Sequence, residues 1–162
     1  MTARPDEATA ALAPFPGADS AEWLAGSARL APLVDGIEYF RCVREALIAA
    51  RRQVFIVGWE LHSEIDLVRG EEARQARSRE VWPVRLADLL LALADDREAL
   101  EIRLLIWEGA SLFGLERQHL PRMKRPWADH PRITLAWDRD TPRLGSQHQK
   151  MVVVDDAVAF AG

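Results

Sequence analysis

The sequence predicts an α/β fold, a largely parallel or mixed sheet flanked by helices, and three observations carry that expectation. Short apolar runs at residues 54–57, 102–107 and 133–137 have the length and β-branched content of strands, and the first suits a strand covered on both faces. Between these runs lie segments with apolar residues at helical spacing, so helix and strand alternate as in sheets built from crossover units. Two further apolar runs, 151–154 and 157–161, flank Asp155-Asp156, which is the pattern of two strands joined by a tight turn.

Taken in order, residues 1–32 form an Ala/Pro-rich stretch punctuated by Pro5, Pro14, Pro16 and Pro32. An irregular leader is expected there, with one short helix around Ala21 to Leu24. Order begins near Leu33, and residues 33–162 make the domain. Asp35 followed by Glu38 is a capping-box pattern, after which Ile37, Phe40, Val43, Leu47 and Ile48 predict a helix to about Arg51. A buried strand follows at 54–57, and Gly58-Trp59-Glu60-Leu61 carries it to its end. Residues 69–80 are almost wholly charged or small, which predicts a solvated excursion outside the core. Val84, Leu86, Leu89, Leu90 and Leu93 predict a second helix with Pro83 in its first turn. A weaker helix is expected over 115–124, between the strands at 102–107 and 133–137.

A chain of 162 residues suits one domain with a real core, and 49% apolar with 28% charged residues is ordinary globular composition. The net charge of -4 argues against a protein that coats nucleic acid through general basicity, while leaving room for a local basic site. Cys42 stands alone, so no intrachain disulfide forms, and its place on an apolar helical face suits a small core residue in a reducing compartment. No apolar run approaches a membrane span. Asp6 and Glu7 stand where a signal peptide would be hydrophobic. A cytoplasmic protein that touches the membrane peripherally is the expectation.

The most specific feature is His148-x-Lys150, with Asp155 five residues after the lysine and Gly162 seven further on. A chance match to such spacing arises on the order of once per thousand chains of this length. On an extended strand, side chains two apart share a face, so His148 and Lys150 can reach one phosphate together. The imidazole can attack phosphorus to form a covalent intermediate, and the ammonium offsets charge growing on the non-bridging oxygens. Asp155 has the opposite parity and lies beyond the strand, away from phosphorus. A turn role and a supporting site role stand side by side for it. Gly162 suits a turn or close backbone packing.

This spacing resembles the HKD signature of the phospholipase D superfamily. Weaker resemblance to the N-terminal half of a bacterial phospholipase D-like protein runs through residues 34–40, 49–59, 83–90 and 103–107. It implies a phospholipase D-like half-domain of the α/β/α kind, the first HKD half, truncated after the motif and incomplete. It also implies a phosphodiesterase or phosphatidyltransferase with His148, Lys150 and Asp155 catalytic, Asp155 being the supporting carboxylate. Trp59 and Gly162 are candidate substrate-binding residues, and Trp59, Trp107 and Trp137 at strand ends suit core or pocket walls. Family enzymes join two such motifs, and this sequence holds one, so the second comes from another chain or a missing half, a homodimer included.

The expected partner is a phospholipid or another phosphodiester, with no cofactor and no metal. A nuclease of the same superfamily is a second reading, less favoured because of the negative net charge. A catalytically incomplete fragment or interaction module is a third. His62, just past a strand end, is a candidate for the missing acid. His119 and His130 lie in a basic stretch with Arg117, Arg122, Lys124, Arg125 and Arg132, which suits a solvated helix face and loop and could also meet anionic head groups or a nucleic-acid backbone. An open final strand should promote oligomers or aggregation.

Overall fold

A computed structural model of the chain describes residues 29–79, 82–107, 127, 129–140, 145 and 147–162. The leader at 1–32 lies almost wholly outside them, as do the helices expected around 21–24 and over 115–124, and His119 with its basic neighbours. The fold falls within the unit Val34–Gly162.

In chain order the elements are helix α1 (Asp35–Ala49), strand β1 (Gln53–Gly58), helices α2 (Gly70–Arg79) and α3 (Leu86–Asp96), then strands β2 (Glu101–Trp107), β3 (Ile133–Asp138), β4 (Met151–Val154) and β5 (Val158–Ala161). They form one five-stranded sheet of order β3-β2-β1-β4-β5. The pairs β1–β2 and β2–β3 are parallel, whereas β1–β4 and β4–β5 are antiparallel. The expected α/β architecture with a mixed sheet and flanking helices is the one found.

Helix α1 begins where the capping pattern places it. Asp35 has a positive φ of 68°, and its Oδ1 accepts the backbone N–H groups of Ile37 at 2.7 Å and Glu38 at 3.3 Å, which would otherwise lack helical partners. The packed stripe starts one turn later than expected. Ile37 is 62% exposed, whereas Val43 and Leu47 are buried and Phe40 and Ile48 pack against the core. Arg44 is the buried charged residue of the helix, and its Nη2 donates to the carbonyls of Trp82 at 3.0 Å and Pro83 at 3.5 Å.

Two expectations about the next segment are corrected. The charged stretch after residue 69 is helix α2, not an excursion without core. Ala73 and Ala76, three apart and so on one face, are buried with Val68 and Val84 while the charged residues point outward. Arg and Glu are also good helix formers, and Arg74 bonds Glu71 one turn back. Helix α3 starts at Leu86, not at Pro83. The residues before it are extended because they pair instead: Leu67 N–H donates to Val84 C=O at 3.0 Å and Leu86 N–H to Ile65 C=O at 2.9 Å. That pairing competes with helix and wins over the preference of proline for a first turn.

Leu47 of α1 and Leu89, Leu90 and Leu93 of α3 are fully buried against Val54, Ile56, Ile102, Leu104 and Val152 of the sheet. The alternate residues form two rows across the other face. One is Thr134, Arg103, Phe55, Val153 and Ala159; the second is Ala136, Leu105, Val57, Met151 and Ala161. Leu105 and Met151 are 38% and 40% exposed. Strand β1 was expected to be covered on both faces, yet among the described residues the helices cover only one. A direct check compares neighbours in β2. Leu104→Ala should cost about 2–5 kcal/mol, the usual loss for a core leucine, while Leu105→Ala should stay within roughly 1 kcal/mol as at other partly exposed sites. Urea melts of both variants decide it, and equal losses would mean that the core extends to both faces.

Candidate functional site

Because β4 runs antiparallel to β1 with Met151 opposite Val57, residues 148–150 emerge where β1 ends at Gly58 and β2 and β3 end at Trp107 and Asp138. The carboxyl end of the parallel strands is where open α/β sheets collect ligand sites. His148 and Lys150 were expected on a strand, but the ladder begins at Met151 and both precede it. Their side chains nevertheless meet. Lys150 Nζ lies 3.0 Å from His148 Nδ1, 3.2 Å from Nε2 and 3.2 Å from the His148 carbonyl oxygen. Both residues are exposed.

The backbone of this pair is tied to the final strand by Gly162 N–H, which donates to Lys150 C=O at 3.1 Å. A Cβ on Gly162 would meet nothing within 4 Å, so close packing does not explain the glycine among the described residues. Trp59, the residue after β1, reaches the pair. Its ring stacks on Trp107 at 5.9 Å between centroids and 20° between planes, and lies 5.8 Å and 51° from the His148 imidazole. Gly58 sits at a sharp bend, since a Cβ there would come 3.2 Å from the Glu60 carbonyl oxygen.

Asp155 lies at the opposite end of β4 from His148 and Lys150. Strand rise over four residues puts roughly 13 Å between the ends. Asp155 and Asp156 both have positive φ, 54° and 55°, in the tight turn to β5, closed by Ala157 N–H donating to Val154 C=O at 3.0 Å. Aspartate tolerates this left-handed backbone better than most residues. The Asp155 carboxylate accepts three backbone N–H groups: Arg51 at 2.8 Å, Arg52 at 2.8 Å and Gln53 at 2.9 Å. Its own N–H donates to Gln53 C=O at 2.9 Å. Burial pushes this carboxyl up, but the three N–H donors and the nearby Arg52 charge outweigh burial and hold it below the ordinary aspartate range. Nothing in the sequence signalled these partners, which lie about a hundred residues upstream.

The other histidines lie elsewhere. His62 is exposed and lines an open cleft of about 700 Å³ with Arg69, Arg74 and Arg77, which neither His148 nor Lys150 lines. His130 Nε2 lies 3.2 Å from Asp95 Oδ1, and its Nδ1 accepts Arg132 N–H at 3.2 Å, so its ring serves local structure. Among the described residues no group of three or more His, Cys, Asp or Glu could hold a metal ion. No described helix is long and apolar enough to cross a membrane. Chemically, the arrangement offers an exposed imidazole beside an ammonium at a sheet end backed by two indoles.

No protein-family model matches the chain. Over 142 residues it is 30% identical to Phospholipase D C of Dictyostelium discoideum, covering 81% of this chain and 8% of that protein. Over 134 residues it is 31% identical to Phospholipase D2 of Bos taurus, covering 80% of this chain and 13% of that protein. The chain thus spans about a tenth of the length of these relatives, and over that stretch the similarity supports a phospholipase D-like relationship. Among solved structures, the archaeal chromatin protein TrmBL2, described as showing a novel mode of DNA binding, aligns over 93% of this chain and 46% of its own at 14% identity and a TM-score of 0.47, a likeness too slight to bear on function.

The Asp155 node makes a prediction with a defined sign. A carboxyl held low in the fold stabilises it fully above its unfolded pKa of about 3.9 and loses that contribution as pH falls through the lower folded value. Asp155→Asn should therefore destabilise the fold at neutral pH, by about 1 kcal/mol because solvent screens this partly exposed carboxylate. The gap from wild type should stay flat from about pH 8 to pH 5 and close below about pH 4. Urea melts across pH measure it, and a gap that widens in acid would disprove the role.

Proposed function

We propose that this chain carries one half-site of a phospholipase D-type phosphodiesterase or phosphatidyltransferase, in which His148 is the nucleophile and Lys150 the phosphate clamp. The observation that carries the reading is the approach of Lys150 Nζ to both ring nitrogens of His148 at the carboxyl end of the parallel strands. A lysine ammonium only donates and a neutral imidazole offers one nitrogen lone pair, so the two groups are chemically matched as clamp and nucleophile. The similarity to two phospholipases D supports a phospholipid as the phosphodiester.

The reaction then runs in two displacements. A ring nitrogen of His148 attacks phosphorus as the bond to the leaving alcohol oxygen breaks, and that oxygen takes a proton from an acid. Lys150 Nζ shifts from the ring to the non-bridging oxygens, where charge develops. Water or a second alcohol next attacks phosphorus and gives its proton to the group that served as the acid, and the N–P bond breaks to restore the imidazole. Protein side chains meet each charge in this scheme. The acid is a second His-x-Lys motif from outside these residues, in a second copy of the chain or another segment. Asp155 acts at a distance, by holding β4 against β1.

On vesicles of phosphatidylcholine with the second motif supplied, His148→Ala should lose several orders of magnitude in turnover. Lys150→Ala should lose about 10²–10³-fold, the scale of other groups that stabilise developing charge. A phosphoryl adduct should be found on His148 by mass spectrometry after rapid quenching. Turnover unchanged in His148→Ala would end the reading. Activity should also survive EDTA, and a loss that Zn²⁺ or Mg²⁺ restores would point to different chemistry.

A further inference from the structure

His148 precedes β4 and is exposed, so the ladder of the sheet does not select its side-chain rotamer. A free imidazole samples several staggered states, and few of them aim a nitrogen lone pair at a phosphate. Among the described residues, Lys150 and Trp59 narrow the choice. Lys150 Nζ meets the nitrogen-bearing edge of the ring at 3.0 and 3.2 Å. The Trp59 indole lies against the same ring at 5.8 Å and 51°, within the range of tilted aromatic pairs.

Trp59 is itself backed by Trp107, whose ring stacks on it at 5.9 Å. Trp107 is only 5% exposed and pairs with Asp138 in the sheet, so this backing is anchored. In the proposed reaction the attacking ring nitrogen turns its lone pair to phosphorus and so stops accepting from Lys150, which is left to the phosphate oxygens. Of these two contacts, the indole is then the one that still holds the imidazole. We propose that Trp59 is a positioning residue for His148: it keeps the ring oriented once Lys150 has moved to the phosphate. This goes beyond a pocket wall, and it rests on the reading of His148 as the nucleophile.

The test uses the full chain, with the second motif supplied for turnover, and compares Trp59→Leu with Trp59→Phe. In Trp59→Leu, kcat should fall on the order of 10²-fold, the cost of a misplaced reacting group, with KM changed by less than about threefold because the loss is confined to the transition state. Trp59→Phe, which keeps an aromatic face, should recover kcat to within about fivefold. Independently of activity, the His148 ring proton signals, assigned by their loss in His148→Ala, should be shifted upfield by the indole ring current. That shift should vanish in Trp59→Leu. Wild-type kcat in Trp59→Leu with unmoved His148 signals would overturn the proposal, as would a Trp59→Phe variant as slow as the leucine one. If Trp59→Leu lacks a cooperative melt, Trp59→Met, which also removes the aromatic face, takes its place by the same criteria. Turnover that persists in His148→Ala would sink the nucleophile reading, while the ring signals would still report whether Trp59 orients His148.

Discussion

Three backbone N–H groups converging on the Asp155 carboxylate hold this fold in its working register. The residues concerned, Arg51 to Gln53, enter β1, and Asp155 stands at the turn between β4 and β5. The bonds join segments about a hundred residues apart in the chain. They also fix which residue of β4 stands opposite which residue of β1, and a strand slipped by one would turn its core residues Val152 and Val154 to the other face. Since His148 and Lys150 directly precede β4, their position follows from a carboxylate that never approaches them.

The same end of the sheet gathers other fastenings. Arg97, just after α3, donates through Nη1 to the carbonyl of Ala50 at the end of α1. Arg132, just before β3, donates through Nε and Nη2 to the carbonyl of Ala94 in the last turn of α3. Both satisfy helix carbonyls that lack a partner within the helix. Glu101 N–H donates to Arg52 C=O and Ile102 N–H to Arg132 C=O, each at 2.9 Å. The amino end of the parallel strands is thus closed by polar contacts among distant segments. At the carboxyl end the exposed imidazole and ammonium stand beside the two indoles. The fold is braced at one end and presents its chemistry at the other.

Much of this could be read from the sequence, and the exceptions share a cause. Strands β1, β2 and β3 were legible because each needs only a short apolar run, and the β4–β5 hairpin because Asp155-Asp156 suits the positive φ of a tight turn. Helix α2 was missed because its core contribution is two alanines among charges, a signal too faint beside the polarity of the segment. The start of α3 was misplaced because residues 65–67 pair with the stretch after Pro83, and a long-range bond outranks a local preference. Coverage of one sheet face was misjudged because an apolar run reports suitability for burial, not what covers it. For the site, the adjacency of His148 and Lys150 was legible from their spacing. The partners of Asp155 and the Trp107–Trp59–His148 ring column were not, since topology rather than pattern brings them together.

The five-residue interval from Lys150 to Asp155 spans the four residues of β4 and one step into the turn, and so it acts as a ruler. Val152 and Val154 must face the helices while the anchor and the reactive pair occupy opposite ends. Replacing one β-branched residue of the strand by another leaves that measure intact. Inserting or deleting a single residue would move the pair along the sheet and reverse the faces at once. The motif is therefore tolerant of changes in composition and intolerant of changes in length, which makes the interval a mechanical requirement of the sheet as well as a mark of the chemistry.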